Sequence, residues 1–224
     1  MDLHSGLPYW VIKNSLLDYF HPLKDDFSTD IVVIGTGITG ALMVHELCNA
    51  GLKCCVIDKR SIATGSSAAS TALLQYEIDV PLCRMAEMIG EDNAVTAYRA
   101  CLQSISDIEK VLESTGVEAG FERVPSLFYA STQKDVKLVK EEYEMRKKHH
   151  LPVSLLGKEE IKERYKLQVP GCGLLNEVSA QIDAYRAATG LLLYHIKKDG
   201  LEVFTHTGVK ECVEKRGGYV VETD

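Results

Sequence analysis

The sequence predicts an α/β fold in which a βαβ unit is followed by a long α+β insertion. Residues 31–58 join two apolar runs through a glycine-rich turn and a helical pattern. Residues 83–180 carry helix and strand patterns of their own. Residues 184–210 then read as a helix followed by a strand, which we expect to join the first sheet. The chain would therefore form one α/β domain interrupted by a second domain.

The βαβ unit carries the most informative motif in the chain. The apolar run at 31–34 leads directly into GTGITG at 35–40, and a helical pattern follows until Gly51. Gly35 permits a sharp turn, Gly37 lets the backbone approach a pyrophosphate, and Gly40 lets the helix pack closely on the strands. The free N–H groups near Ile38, Thr39 and Gly40 would point at the phosphates. This order of elements is typical of a dinucleotide-binding unit, although a glycine turn without a ligand stays an alternative.

An acidic residue ends the second apolar run. Asp58 follows Cys54-Cys55-Val56-Ile57. Its distance from Gly40 along the chain is close to the ~20 residues expected for an acid that binds ribose hydroxyls. A carboxylate here argues against a 2′-phosphate and so against NADP, but the adjacent Lys59 and Arg60 weaken that argument.

The stretch after Asp58 is unusual for an ordinary NAD-binding domain. Residues 61–72 are almost all small or hydroxylated, where such a domain would soon begin a long amphipathic helix. Small side chains let backbone N–H groups face a ligand, and hydroxyls would contact a diphosphate or a ribityl chain. The alternative is a flexible linker.

Residues beyond the loop show regular periodicity. Apolar spacing predicts a helix over 91–115 closed by Gly116, and FERVPSLFYAS at 121–131 predicts a strand that bends near Pro125. A charged helix over 134–150 would end on solvated His149 and His150. We further expect a helix at 158–165, strands at both ends of 170–183, a helix at 184–198, a strand at 201–204 and a hairpin at 209–223.

Composition excludes several classes of protein. The 224-residue chain carries a formal net charge of −7 without a basic stripe, which argues against nucleic acid or an anionic membrane as a partner. No apolar run approaches the ~20 residues of a membrane span, and the N-terminus does not read as a signal peptide. The odd count of seven cysteines without a secretion signal leads us to expect reduced thiols in a cytoplasmic protein. None forms a CxxC pair, so we expect no metal site.

Four features together resemble one known family. They are the GTGITG turn, Asp58, the ATGSS loop at 63–67, and Gln181-Ile182-Asp183 before a helix. The chain is similar over nearly all of residues 30–224 to the FAD-dependent D-amino acid oxidase/glycine oxidase (DAO) family. The resemblance implies a Rossmann-like FAD-binding ββα-sandwich domain with an inserted α+β substrate domain. It also implies a C-terminally truncated chain, because family members continue further and carry most substrate-clamping residues in that later part.

The resemblance implies a division into domains. Residues 1–27 would be an N-terminal arm that packs on the domain or on a partner. Residues 28–82 and 181–224 would form the FAD-binding domain. Residues 83–180 would form an incomplete substrate, or cap, domain.

The resemblance also implies the cofactor, FAD, and the residues that hold it. These are Gly35, Gly37, Ile38, Thr39 and Gly40 at the pyrophosphate, Asp58, Lys59 and Arg60 at the adenosine ribose, Ser66, Ser67 and Thr71 along the diphosphate, ribityl chain or ring, and Val209 at the adenine. The implied reaction is hydride transfer to flavin from the carbon beside the nitrogen of a small amine or amino acid. No catalytic residue and no oligomeric state is predicted.

Two other functions stay open at the level of sequence. One is an NAD-dependent enzyme with an ordinary Rossmann domain, which the loop at 61–72 disfavours. The other is a truncated, non-catalytic fragment that binds nucleotide poorly or only contacts a partner chain.

Overall fold

The computed structural model describes residues 6–15 and 20–224, so the predicted arm at 1–27 falls partly outside the described residues. The chain divides into two compact units. The first unit comprises Met1–Ala72, Leu112–Gly120 and Asp183–Asp224, and the second comprises Leu73–Val111 and Phe121–Ile182.

The elements alternate along the chain. The helices are α1 (Tyr9–Asn14), α2 (Ile38–Asn49), α3 (Leu82–Ile89), α4 (Glu91–Thr115), α5 (Asp135–Lys148), α6 (Lys158–Tyr165) and α7 (Ala184–Asp199), with a short 3-10 helix at Ser66–Ala69. The strands are β1 (Ile31–Ile34), β2 (Cys54–Ile57), β3 (Leu73–Leu74), β4 (Glu122–Arg123), β5 (Ser126–Tyr129), β6 (Ser154–Gly157), β7 (Cys172–Asn176), β8 (Ala180–Gln181), β9 (Glu202–Phe204), β10 (Val209–Lys215) and β11 (Gly218–Thr223).

A parallel sheet organises the first unit. Its strand order is β1-β2-β9, with β2 in the middle. Cys54 of β2 pairs with Ile31 of β1, and Ile57 of β2 pairs with Phe204 of β9. All four residues of β2 are buried, which explains its uninterrupted apolar sequence. Burial raises the pKa of the Cys55 thiol to about 11, so this cysteine packs as a small neutral side chain. The prediction that β9 joins the first sheet is confirmed.

Two helices pack against each other in the first unit. Helices α2 and α7 are in contact along their buried faces, where Ala41 and Val44 of α2 and Leu191 and Leu192 of α7 are buried. Parallel strands need crossover connections, and α2 provides the one between β1 and β2.

The predicted hairpin is confirmed as the antiparallel pair β10-β11.

The second unit contains two antiparallel sheets, β3-β8-β4 and β5-β7-β6. A buried ion pair lies inside the second unit. Arg146 Nε donates to Glu142 Oε1 over 2.7 Å. The Glu142 carboxylate also accepts hydrogen bonds from the backbone N–H groups of Leu82 and Cys83 at the start of α3. These bonds compensate the cost of burying both charges.

Most predicted elements of the second unit are present. The helix at 91–115 is confirmed, and the strand predicted at 121–131 is interrupted between β4 and β5, where Pro125 lies. The prediction that His149 is solvated is wrong, since its side chain is largely buried and Nε2 lies 2.7 Å from Glu91 Oε1. Among the described residues, no helix is both long and apolar enough to cross a membrane.

Candidate nucleotide site

The glycine turn between β1 and α2 has a backbone that side chains would disrupt. Gly35 has φ +110°, a conformation that residues with a Cβ rarely adopt. A Cβ at Gly40 would lie 2.0 Å from the carbonyl oxygen of Gly35. The turn therefore folds back on the first helical residues, and the carboxyl end of β1 meets the N-terminus of α2.

The N-terminus of α2 offers backbone donors. Its N-cap, Gly37, has no side chain, and no acidic residue occupies the first turn. The N–H of Ile38 donates to Ser67 Oγ over 2.9 Å, and a Cβ at Gly37 would lie 3.0 Å from the same oxygen. The helix dipole makes this region favourable for an anion. Ser67 is buried here, so the loop at 61–72 reaches the glycine turn.

Asp58 is bonded to the glycine turn. Its Oδ2 accepts hydrogen bonds from Thr36 N over 2.8 Å and Thr36 Oγ1 over 2.7 Å, and its Oδ1 accepts one from Arg60 N over 2.9 Å. A carboxylate offers about four acceptor positions. The bonds to Thr36 and Arg60 use three of them, two on Oδ2 and one on Oδ1.

Thr36 connects three segments, and sequence reasoning missed it. Its side chain is fully buried, and besides donating to Asp58 its Oγ1 accepts a hydrogen bond from Ala63 N over 3.0 Å. Ala63 has φ +52°, so the loop is held in a left-handed conformation at this point. In the sequence, the feature that could have indicated this role is a hydroxylated residue between the first two glycines of the turn.

The remaining predicted residues lie in less connected positions. Ser66 and Thr71 are exposed on the loop, and Lys59 is exposed beside Asp58. Val209 begins β10 and pairs with Thr223 of β11. Within the part of the chain that the structure describes, no hydrogen bond joins Thr71 or Val209 to the glycine turn.

Helix α1 contacts two other segments of the first unit. Trp10 Nε1 donates to the carbonyl of Ser70 over 2.8 Å, and Asn14 Nδ2 donates to Asp183 Oδ2 over 2.8 Å. Asp183 also caps α7, because its Oδ1 accepts a hydrogen bond from Arg186 N over 3.0 Å. Helix α1 therefore links the loop at 61–72 to the start of α7, a role that the sequence did not reveal.

These features fit the pyrophosphate of FAD. The N-terminal turn of α2 presents N–H groups without a competing acidic side chain, and the close approach of Ser67 adds a hydroxyl. Because Ser67 Oγ already accepts from Ile38, its own O–H is directed elsewhere and can donate to a phosphate oxygen.

Comparisons with known proteins agree on one family. The family model "FAD dependent oxidoreductase" (DAO) matches residues 30–224. The chain is 23% identical over 209 residues to the probable oxidoreductase OrdL of Haemophilus influenzae, covering 91% of this chain and 47% of OrdL.

Two solved structures share the fold. L-proline dehydrogenase from P. horikoshii matches with a TM-score of 0.69 and 25% identity, covering 88% of this chain and 49% of that chain. Glycine oxidase from Geobacillus kaustophilus matches with a TM-score of 0.69 and 21% identity, covering 87% of this chain and 51% of that chain. The chain thus spans about half the length of each of these proteins. The resemblance found in the sequence is confirmed, as are the α/β fold and FAD as the cofactor of the family: the chain belongs to the DAO family of FAD-dependent oxidoreductases.

Proposed function

We propose that this chain supplies the FAD-binding part of an oxidoreductase that oxidises the C–N bond of a small amine or amino acid. The observation that carries the proposal is the bonded constellation of the glycine turn, Thr36 and Asp58 in a chain of this family. The substrate class is supported by the names of similar proteins, which include a proline dehydrogenase and a glycine oxidase.

Each predicted residue receives a task in this proposal. The pyrophosphate would be held by Gly35, Gly37, Ile38, Thr39 and Gly40. The ribose would be bound by Asp58, with Lys59 and Arg60 beside it. The diphosphate, ribityl chain or ring would be contacted by Ser66, Ser67 and Thr71, and the adenine by the backbone of Val209. The backbone N–H groups of Thr39 and Gly40, which follow the Ile38 N–H that donates to Ser67, would offset phosphate charge. A further acceptor position on Asp58 Oδ1 would bind a ribose hydroxyl.

The chemistry divides between cofactor and protein. FAD, when bound, accepts the hydride. The residues of this chain bind and orient: Thr36 holds the Asp58 carboxylate in place through two hydrogen bonds, and Ser67 ties the loop to α2. A cytoplasmic location stays a prediction.

Substitution of Asp58 tests the proposal. We expect Asp58→Ala to weaken FAD binding about tenfold or more, because a hydrogen bond to a charged group contributes about 1.5–3 kcal/mol. The measurement is quenching of FAD fluorescence on titration with protein. Asp58→Asn keeps an acceptor for Thr36 and separates loss of charge from collapse of the turn.

Asp30→Ala is the matched control. Asp30 precedes β1 at the opposite end of the same sheet, where its Oδ2 accepts from Lys53 N over 3.1 Å on the surface. This variant should keep the affinity of the parent. Unchanged FAD affinity in Asp58→Ala would refute the assignment, and binding of nicotinamide nucleotides in place of FAD would favour an NAD-dependent enzyme.

A further inference from the structure

A cluster of polar side chains lies where the C-terminal parts of α2 and α7 meet. Helix α2 contributes His45, Cys48 and Asn49, and helix α7 contributes His195 and Asp199. His195 is 0% exposed and His45 is buried. The cluster lies in the final turns of both helices, away from the N-terminal turn of α2 that forms the nucleotide site.

The polar side chains of the cluster contact one another in a row. Asn49 Oδ1 accepts from Lys198 Nζ over 3.4 Å, and Asn49 Nδ2 lies 3.0 Å from His45 Nε2. His45 Nδ1 lies 3.0 Å from His195 Nε2, and the tautomers decide which ring donates. Rotation of the Asn49 amide exchanges its O and N, so Asn49 can serve either tautomer of His45. The chain of bonds fixes the orientation of both imidazole rings.

The end of this chain presents metal ligands. His195 Nδ1 lies 2.5 Å from Asp199 Oδ2, and these atoms and Cys48 Sγ all lie within 4.8 Å of one another. Tetrahedral zinc has bonds of about 2.0–2.3 Å, which place its ligand atoms roughly 3.3–3.8 Å apart. The Asp199 side chain is 28% exposed at the last residue of α7, so it has room to move back by about 1 Å, the amount this spacing requires.

The surroundings match the second shell of a zinc site. A histidine that binds metal through one ring nitrogen usually has the other nitrogen held by a partner that fixes the ring. An ion on Nδ1 requires His195 to carry its proton on Nε2 and to donate it to His45 Nδ1, which lies 3.0 Å away.

We propose that Cys48, His195 and Asp199 bind one Zn²⁺ ion, with His45 as the residue that orients His195. A thiolate, an imidazole and a carboxylate favour zinc over magnesium or calcium, which prefer oxygen ligands. Three protein ligands leave a fourth position for water. The ion would join the C-terminal turns of α2 and α7, and this site is independent of FAD.

Cobalt substitution provides the test, because Co²⁺ takes the same ligands and reports a bound thiolate through a charge-transfer absorption band. We expect the purified chain to bind one equivalent of Co²⁺ with this band and to release it to Zn²⁺. Cys48→Ser should abolish the band. Asp199→Asn, which keeps an acceptor for His195 Nδ1, should retain the band with weaker binding, and His45→Gln should weaken binding about 10–100-fold.

Cys101→Ser is the control, since Cys101 lies on α4 in the second unit. It should keep both the band and the affinity of the parent. Absence of saturable Co²⁺ binding by the parent, or a band that survives in Cys48→Ser, would overturn the proposal. A rise in Tm with Zn²⁺ in the parent but not in Cys48→Ser would support it, because a ligand that binds only the folded state stabilises it.

Discussion

At the scale of single residues, the candidate nucleotide site depends on a threonine. Thr36 joins the glycine turn, the acid at the end of β2 and the loop at Ala63 through hydrogen bonds of its backbone and hydroxyl. Among the described residues, the N–H of Arg60 also donates to this carboxylate, on its other oxygen. The acid is thus positioned before any ligand arrives, which lowers the ordering cost of binding.

Removal of the Thr36 hydroxyl should destabilise the first unit. Thr36→Val preserves shape but leaves the buried N–H of Ala63 without its acceptor, and we expect a loss of about 1–3 kcal/mol in the free energy of unfolding. Urea unfolding measures this loss. Thr39→Val, at an exposed position of the same turn, should change stability by less than about 0.5 kcal/mol. Equal stability of the two variants would show that the Thr36 bonds are not needed.

At the scale of elements, α1 holds the loop at 61–72 to the start of α7. The contacts come from the indole of Trp10 and the amide of Asn14. Val11 of the same helix is buried, while Tyr9 and Ile12 are exposed. The loop carries three of the residues proposed to contact FAD. A helix of six residues thus helps to hold this loop, together with the bonds of Ala63 to Thr36 and of Ile38 to Ser67.

Trp10→Phe tests this contact. The variant keeps an aromatic ring but deletes the N–H that donates to Ser70, and we expect a loss of about 0.5–1.5 kcal/mol in the free energy of unfolding. Tyr9→Phe removes an exposed hydroxyl from the same helix and should have almost no effect. If chemical denaturation gives identical midpoints for Trp10→Phe and the parent, the arm does not stabilise the loop.

Periodicity and turn chemistry predicted most elements, while contacts between distant residues escaped prediction. The helix at 91–115 and the hairpin at 209–223 follow from local patterns, and both are present. The partner of His149, Glu91, is far away in sequence, as is the Trp10–Ser70 bond. Asp58 was predicted as a ribose ligand from spacing, but its bonds to Thr36 depend on how the turn folds back. Such long-range contacts leave no periodic signal.

At the scale of the whole molecule, the chain consists of two compact units and covers about half the length of its relatives. The first unit contains every residue proposed to bind FAD. Its parallel sheet, glycine turn and α2 are formed within residues of that unit alone. We therefore expect the nucleotide site to be assembled in the chain as it stands.

The most direct test of this account is the visible absorption spectrum of the purified chain before and after addition of FAD. We predict a bound-flavin spectrum, shifted from that of free FAD and retained after removal of small molecules. A protein that stays colourless, with added FAD showing only its free spectrum and passing away on gel filtration, would contradict the claim that residues 1–224 hold the cofactor.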